Sequence, residues 1–111
     1  MNDLERTSRI RELNDAFRTS LQGGTVVMTS SVYALPETVR AQAIRQMATF
    51  AAFDTDNDPY GEHDFGAFDF CGRKWFWKID YYDTSMECGA DDPADPTTTA
   101  RVLTLMLAED Y

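Results

Sequence analysis

The chain of 111 residues has little of the chemistry on which disulfide-rich or zinc-binding domains depend. It has two cysteines, Cys71 and Cys88, with no CxxC spacing, and one histidine, His63. Two cysteines are too few for a disulfide framework and fit a reducing compartment, although a single Cys71–Cys88 bridge stays open. One histidine leaves zinc without the three or four nitrogen and sulfur ligands that it usually takes. Neither a disulfide scaffold nor a zinc site is therefore expected.

Long apolar runs and cofactor motifs are also missing. No stretch of about 18 apolar residues could span a bilayer, and Met1 to Arg6 mix charges instead of forming a basic leader. No phosphate-binding glycine loop and no G-x-S-x-G nucleophile motif occurs, so no cofactor is expected. With 43% hydrophobic residues the chain can bury one modest core. We expect a single cytoplasmic domain over residues 1–111.

Positive charge is scarce and unevenly placed. Residues 1–50 carry five acids against six arginines, a net of +1, whereas residues 51–111 carry fourteen acids against four cations, a net of −10. The net charge of −9 keeps the chain soluble and repels nucleic acid and anionic lipid. Direct binding to DNA, RNA or a membrane surface is therefore disfavoured, and a basic protein is the partner that this charge favours.

Hydrophobic spacing predicts an α+β fold. Apolar residues at helical spacing over residues 3–21, followed by Gly23-Gly24, indicate a first helix. Residues 25–30 are rich in β-branched side chains and predict a strand, residues 31–35 a connector, and residues 36–53 a second helix that begins at Pro36. The turn-forming residues 54–64 must form a loop, because Pro59 cannot continue a helix.

The second half adds an aromatic hairpin and a predicted terminal helix. Residues 65–70 and 74–82 are strand candidates joined by Cys71-Gly72, and alternation places Trp75, Trp77 and Ile79 on one face. Asp95-Pro96 is typical of a helix start, and the later apolar residues fit one helical face: Val102, Leu103, Met106 and Leu107. The prediction is a small antiparallel sheet of about three strands packed against three helices, in the order α-β-α-β-β-α.

The acidic loop offers two candidate metal sites. Asp54, Asp56 and Asp58 alternate like the first ligands of a calcium loop, but Pro59 stands where the turn glycine would be and Phe65 where the bidentate glutamate would be. A hydrogen-bonded turn is the favoured interpretation. A metal-dependent hydrolase or nuclease is the alternative function, and its residues would be Asp58, Glu62, His63, Asp64 and Asp80.

Two longer segments carry a resemblance. NDPYGEHDFG at residues 57–66 and FWKIDYYD at residues 76–83 resemble an uncharacterised family of alphaproteobacterial genomes, plasmids and prophage-like regions. The similarity extends to residues 14–18, 92–96 and 101–107, and it assigns no catalytic residue because the family is a domain of unknown function. It implies a mobile-element setting, in which small acidic proteins act as inhibitors of restriction or CRISPR systems.

Charge and resemblance together favour a non-enzymatic inhibitor or adaptor. Closely spaced carboxylates can occupy a groove that normally holds a nucleic acid, and a type I CRISPR surveillance complex is the most concrete partner. A housekeeping protein of a plasmid or phage, inactive in isolation, is a third reading. The expected partner-binding residues are acids with two tyrosines: Asp54, Asp56, Asp58, Tyr60, Glu62, Asp64, Asp80, Tyr82, Asp83, Asp91 and Asp92.

Overall fold

The first helix, α1, spans Asp3–Ser20, as the hydrophobic spacing predicts, in a computed structural model that describes all 111 residues. The Asn2 side chain accepts a hydrogen bond from the Glu5 backbone N–H at 2.8 Å and caps the helix. Leu21, with φ 61°, ends it in the left-handed conformation. At Gly24 a Cβ atom would collide with the Phe17 ring, so the chain can pass close to α1 only with glycine at this position.

Strand β1 (Thr25–Met28) follows as predicted, and two further helices precede the acidic loop. The predicted connector contains a one-turn helix, α2 (Ser30–Tyr33), which places Val32 in the core. Helix α3 covers Glu37–Ala48, so it starts beside Pro36 as expected but ends before the predicted limit near residue 53. Phe50 and Phe53 lie beyond its end and pack against the core as partly buried side chains.

The aromatic hairpin forms as predicted. Strand β2 (Phe65–Phe70) pairs antiparallel with β3 (Arg73–Tyr82), and Phe70 lies opposite Arg73 across a two-residue turn. Cys71 and Gly72 both have positive φ, 54° and 71°, which is the backbone that a two-residue hairpin turn requires. Cys71 and Cys88 are both free and exposed.

The C-terminal segment is a strand, so the predicted terminal helix was wrong. Strand β4 (Ala100–Leu107) is central in a four-stranded sheet of order β1-β4-β3-β2, pairing parallel with β1 and antiparallel with β3. Three strands and a wholly antiparallel sheet were therefore also wrong. A central strand reads as a nearly continuous apolar run, and its spacing alone does not distinguish it from a buried helix. Asp95 accepts hydrogen bonds from Thr97 within a turn and starts no helix.

A short 3₁₀ turn (Ala108–Asp110) ends the chain beside β4. Asp110 Oδ2 accepts hydrogen bonds from the hydroxyls of Ser31 and Thr29 and, at 2.9 Å, from the Leu107 backbone N–H. The Ser31 hydroxyl, with the smaller contribution of Thr29, lowers the pKa of Asp110 below its usual range. This carboxylate thereby ties the C-terminal turn to the start of α2.

The largest fully buried side chains of the sheet lie on the face that the helices cover, whereas Met106, 3% exposed, lies on the opposite face. Alternation along β3 and β4 places two sets of three residues there: Trp75, Trp77, Ile79, Leu103, Leu105 and Leu107. The helices contribute Phe17, Val32, Ala43 and Met47 to the same core. The predicted common face of the two tryptophans is confirmed. None of the helices combines the length and the apolar character needed to cross a membrane.

Candidate functional site

The acidic loop, residues 54–64, opens with a hydrogen-bonded turn. Asp54 Oδ1 accepts the backbone N–H groups of Asp56 and Asn57, each at 2.9 Å, and the Asn57 side chain donates to the Ala52 carbonyl at 2.8 Å. Asp54 therefore holds backbone amides, while Asp56 is exposed. No group of three or more His, Cys, Asp or Glu side chains in the structure is arranged to hold a metal ion.

The end of this loop is bound to α1 through His63. Its Nδ1 lies 2.8 Å from Asp15 Oδ1, and its Nε2 lies 3.6 Å from Asp58 Oδ2. Asp58, which is 8% exposed, also accepts the His63 backbone N–H at 3.1 Å. The Phe53 ring stacks on the imidazole with 3.7 Å between centroids. His63 therefore links two carboxylates and an aromatic ring, and it holds this arrangement in the left-handed backbone region at φ 54°.

Beside His63, the buried Arg18 joins α1 to the end of α3. Its Nη1 donates to the carbonyls of Met47, Ala48 and Phe50 at 2.9–3.1 Å, and its Nη2 donates to Asp15 at 3.1 Å. The guanidinium also lies over the Trp77 ring, 5.0 Å from the centroid. Arg18 thus satisfies carbonyls that every helix leaves without partners at its C-terminus.

A second network fixes Glu62. The Tyr81 hydroxyl donates to Glu62 Oε1 and accepts from Asn14 Nδ2, each at 2.7 Å, and Arg101 Nε donates to Asn14 Oδ1 at 2.8 Å. Burial, and next the hydrogen bond to Glu62, raise the pKa of Tyr81 well above its usual value. The tyrosine therefore stays neutral and serves as a donor to this carboxylate.

Asp64 lies in surroundings that disfavour the ionised form of its carboxyl group. Burial, followed by the nearby charge of Glu62, raises its pKa, and Asp58 and Asp80 add smaller contributions in the same direction. Its backbone carbonyl accepts the Ile79 N–H at 2.8 Å and extends the pairing of β2 with β3 by one residue. Ionisation of Asp64 therefore lowers the free energy of unfolding.

The second acid-rich segment, residues 83–95, is also pinned to α1. Arg6 Nε forms an ion pair with Asp92 at 3.0 Å and its Nη2 donates to the Asp91 carbonyl at 3.2 Å. Asp83 accepts hydrogen bonds from the Ser85 hydroxyl and from backbone amides of the following turn, which lower its pKa. Asp91 itself is exposed.

The expected partner-binding residues thus fall into three groups. Asp54, Asp56, Tyr60 and Asp91 are exposed on the two acid-rich segments. Asp58, Glu62, Asp64, Asp83 and Asp92 belong to the same segments but are held by intramolecular contacts or partly buried. Asp80 and Tyr82 alternate with Ile79 and Tyr81, and so lie on the sheet face opposite the helices.

Sequence reasoning missed the residues of α1 that position the acidic segments. Arg11, Asn14, Asp15 and Arg18 are spaced three and four residues apart and so share one helix face, and Arg11 donates to the Gly61 carbonyl at 2.9 Å. Ile10 and Phe17 belong to the apolar stripe of this helix, yet Asn14 and Arg18 are as deeply buried as these. A polar stripe at helical spacing beside an apolar one was the available signal.

Comparison with known families places residues 28–110 in one described as "Protein of unknown function (DUF3768)". The match covers well over half of the chain, from the end of β1 to the C-terminal turn, so the chain belongs to this family. The resemblance to an uncharacterised family is confirmed at this level. Neither a curated protein nor a solved structure gives a match.

Proposed function

We propose that this family member is a non-enzymatic binding protein that occludes the nucleic-acid-binding surface of a basic partner. The observation that carries the proposal is the direction in which its charges face. Five of the ten cationic side chains are buried or donate to backbone carbonyls, while many carboxylates stand at the surface; the five are Arg6, Arg11, Arg18, Arg40 and Arg101. The acid excess of the sequence is thus also an excess of acid on the outside of the fold.

Burial of the cations has a local electrostatic consequence. Arg18 and Arg101 are 2% and 3% exposed, and Arg11 and Arg40 donate to the carbonyls of Gly61 and Tyr33. Of these four guanidiniums only that of Arg18 pairs with a carboxylate, that of Asp15. The exposed acids are therefore left for an external cation, which is the condition for long-range attraction of a basic protein.

Helix α1 holds the two acid-rich segments side by side. Arg6 binds the segment at Asp91-Asp92, and Arg11 binds the loop at Gly61. Five residues of helix separate the two anchors, or about 7.5 Å along the axis at about 1.5 Å per residue. Phosphates on one DNA strand follow one another every ~3.4 Å of axis, so the axial spacing of the two anchors is comparable to about two phosphate steps.

A groove that normally accepts a nucleic acid is the surface that fits such an arrangement. Lysines and arginines that neutralise phosphates would pair with carboxylates at the exposed tips, Asp54, Asp56 and Asp91. A type I CRISPR surveillance complex or a restriction enzyme is a partner of this class. Occupation of the groove would exclude DNA by competition, without any chemical step.

The test compares two variants that change the net charge equally. The first replaces exposed acids of the two segments, Asp54→Asn, Asp56→Asn and Asp91→Asn; asparagine keeps the oxygen with which Asp54 caps its turn. The matched control replaces three exposed acids elsewhere, Glu37→Gln, Asp69→Asn and Glu109→Gln. Each tagged protein is used to capture partners from host lysate at low and high salt, and mass spectrometry identifies them.

The proposal expects a basic nucleic-acid-binding complex at low salt with the wild type and the control, its loss with the first variant, and its displacement by added duplex DNA. Equal loss with both variants would reduce the effect to net charge and contradict a defined surface. Partner binding that changes neither with salt concentration nor with the three substitutions would refute the proposal.

A further inference from the structure

The sheet has one face that no helix covers. Alternation along the four strands places mostly apolar or uncharged side chains there, with a few charges: Thr25, Val27, Phe65, Ala67, Asp69, Lys74, Phe76, Lys78, Asp80, Tyr82, Ala100, Val102, Thr104 and Met106. The C-terminal Tyr111 lies on this face, against the rings of Phe65 and Phe76, and Thr29 and Asp110 lie beside it near Thr104 and Met106. Met106 is buried on this face, but its other side chains are partly or fully exposed and so available to a partner.

The charges on this face cancel, unlike those of the rest of the molecule. Lys78 and Asp80 form an ion pair at 2.9 Å, and Asp69 lies opposite Lys74 on the neighbouring strand. The four charged side chains that the strands place on this face therefore sum to zero, in a chain of net charge −9. A basic partner has no electrostatic reason to dock on it. Two copies of the chain, which repel each other elsewhere, could meet here without opposing like charges.

The central ion pair is also complementary to itself. Lys78 and Asp80 are two residues apart on β3, about 6.6 Å at about 3.3 Å per residue, and their neighbours across the strands are uncharged: Phe65, Thr104 and Val102. A twofold axis between them would set Lys78 of one copy against Asp80 of the other, and the reverse. Stacked sheets lie about 10 Å apart, a gap that these side chains can bridge.

We propose that this face packs against the same face of a second copy, forming a twofold-symmetric dimer with four alternating Lys78 and Asp80 charges at its centre. A twofold interface uses the same patch on both subunits, which a surface with this pairing satisfies. The dimer goes beyond the proposed function and does not depend on it. The acid-rich segments are anchored to α1, which lies on the other side of the sheet from the dimer interface. Both copies would therefore keep these segments exposed.

The mass of the full chain, measured by light scattering and sedimentation equilibrium from micromolar to millimolar concentration, tests the wild type directly. The single reversals Lys78→Asp and Asp80→Lys each place like charges across the axis, so each should raise the dimer dissociation constant at least about tenfold. The double swap, Lys78→Asp with Asp80→Lys, restores the alternation and should bring the dimer back. A mixture of the two single variants should form the heterodimer.

The matched control is Arg9→Asp, which reverses one charge of an exposed ion pair on α1, away from the sheet. It should dimerise like the wild type. A wild type that stays monomeric at millimolar concentration and high salt would overturn the proposal. So would a single reversal that leaves dimerisation unchanged, or a double swap that fails to restore it while circular dichroism shows a folded chain.

Discussion

Replacing Arg18 by methionine should reveal how much a buried cation contributes to a protein of such acidic surface. Arg18→Met keeps an apolar side chain out to about the position of Nε, and removes four hydrogen bonds to Met47, Ala48, Phe50 and Asp15. Hydrogen bonds that involve a charged group contribute about 1.5–3 kcal/mol each, but they are not additive. Water can also reach part of the α3 terminus in the variant, because the neighbouring Thr49 is exposed.

We expect a loss of about 3 kcal/mol in the free energy of unfolding, at the lower end of the range for breaking a buried charged pair. At about 2.1 cal/mol/K per residue, 111 residues give an unfolding entropy of about 0.23 kcal/mol/K, so Tm should fall by about 13 °C. Urea denaturation and thermal melts followed by circular dichroism measure both quantities. The stability of Arg18→Lys should lie between that of the wild type and that of Arg18→Met, because an ammonium cannot reproduce the geometry of the guanidinium fork.

The matched control is Arg9→Met on the same helix. Arg9 is 44% exposed and pairs with Glu12 at 3.5 Å, so its replacement should change stability by less than about 0.5 kcal/mol. If Arg18→Met proves as stable as Arg9→Met, the cost of burying the guanidinium cancels its hydrogen bonds. The reasoning that gives Arg18 a stabilising role would then be refuted.

Three further substitutions test the packing and the carboxylate environments. Gly66→Ala puts a Cβ atom inside the indole of Trp77 and should lose about 2 kcal/mol in urea denaturation, whereas Gly89→Ala, with nothing closer than 3.9 Å, should be neutral. Asp64→Asn should be more stable than the wild type at neutral pH, and thermal melts should converge as the pH falls below the raised pKa of Asp64. Asp110→Ala should be less stable at neutral pH, and this difference should disappear as acid protonates the wild-type carboxylate through its lowered pKa.

Local patterns predicted the elements that local chemistry determines. The first helix, the first strand, the aromatic hairpin and the common face of Trp75 and Trp77 follow from spacing, β-branched content and turn residues. The strand β4 did not follow, because leucine and methionine are good helix formers and Asp95-Pro96 is typical of a helix start. Its pairing with β1 and β3 on either side, a contact between distant segments, outweighed that propensity.

The candidate site was likewise predicted only in part. Composition located the acidic segments, but it did not show which carboxylates the fold uses for itself. Asp58 lies beneath His63, and Glu62 is fixed by Tyr81, through contacts that no sequence spacing reveals. The anchors Arg11 and Arg18 come from the half of the chain with a net charge near zero. The division of charge between the two halves of the sequence therefore gave no sign that residues of the first half position the acidic segments of the second.

Salt should separate the two proposed surfaces, because charge acts on them in opposite directions. Screening shortens from about 10 Å at 0.1 M salt to about 3 Å at 1 M. Contact between exposed acids and a basic partner should weaken over this range, as attraction between them is lost. Self-association through the sheet face, whose four strand charges cancel, should strengthen, since screening reduces the repulsion between two chains of net charge −9 and leaves apolar burial in place. Partner capture and sedimentation equilibrium on one salt series measure both effects. If the two affinities fall together, attraction between Lys78 and Asp80 of the two copies outweighs the relief of repulsion between the chains, and apolar burial is not what holds the dimer together.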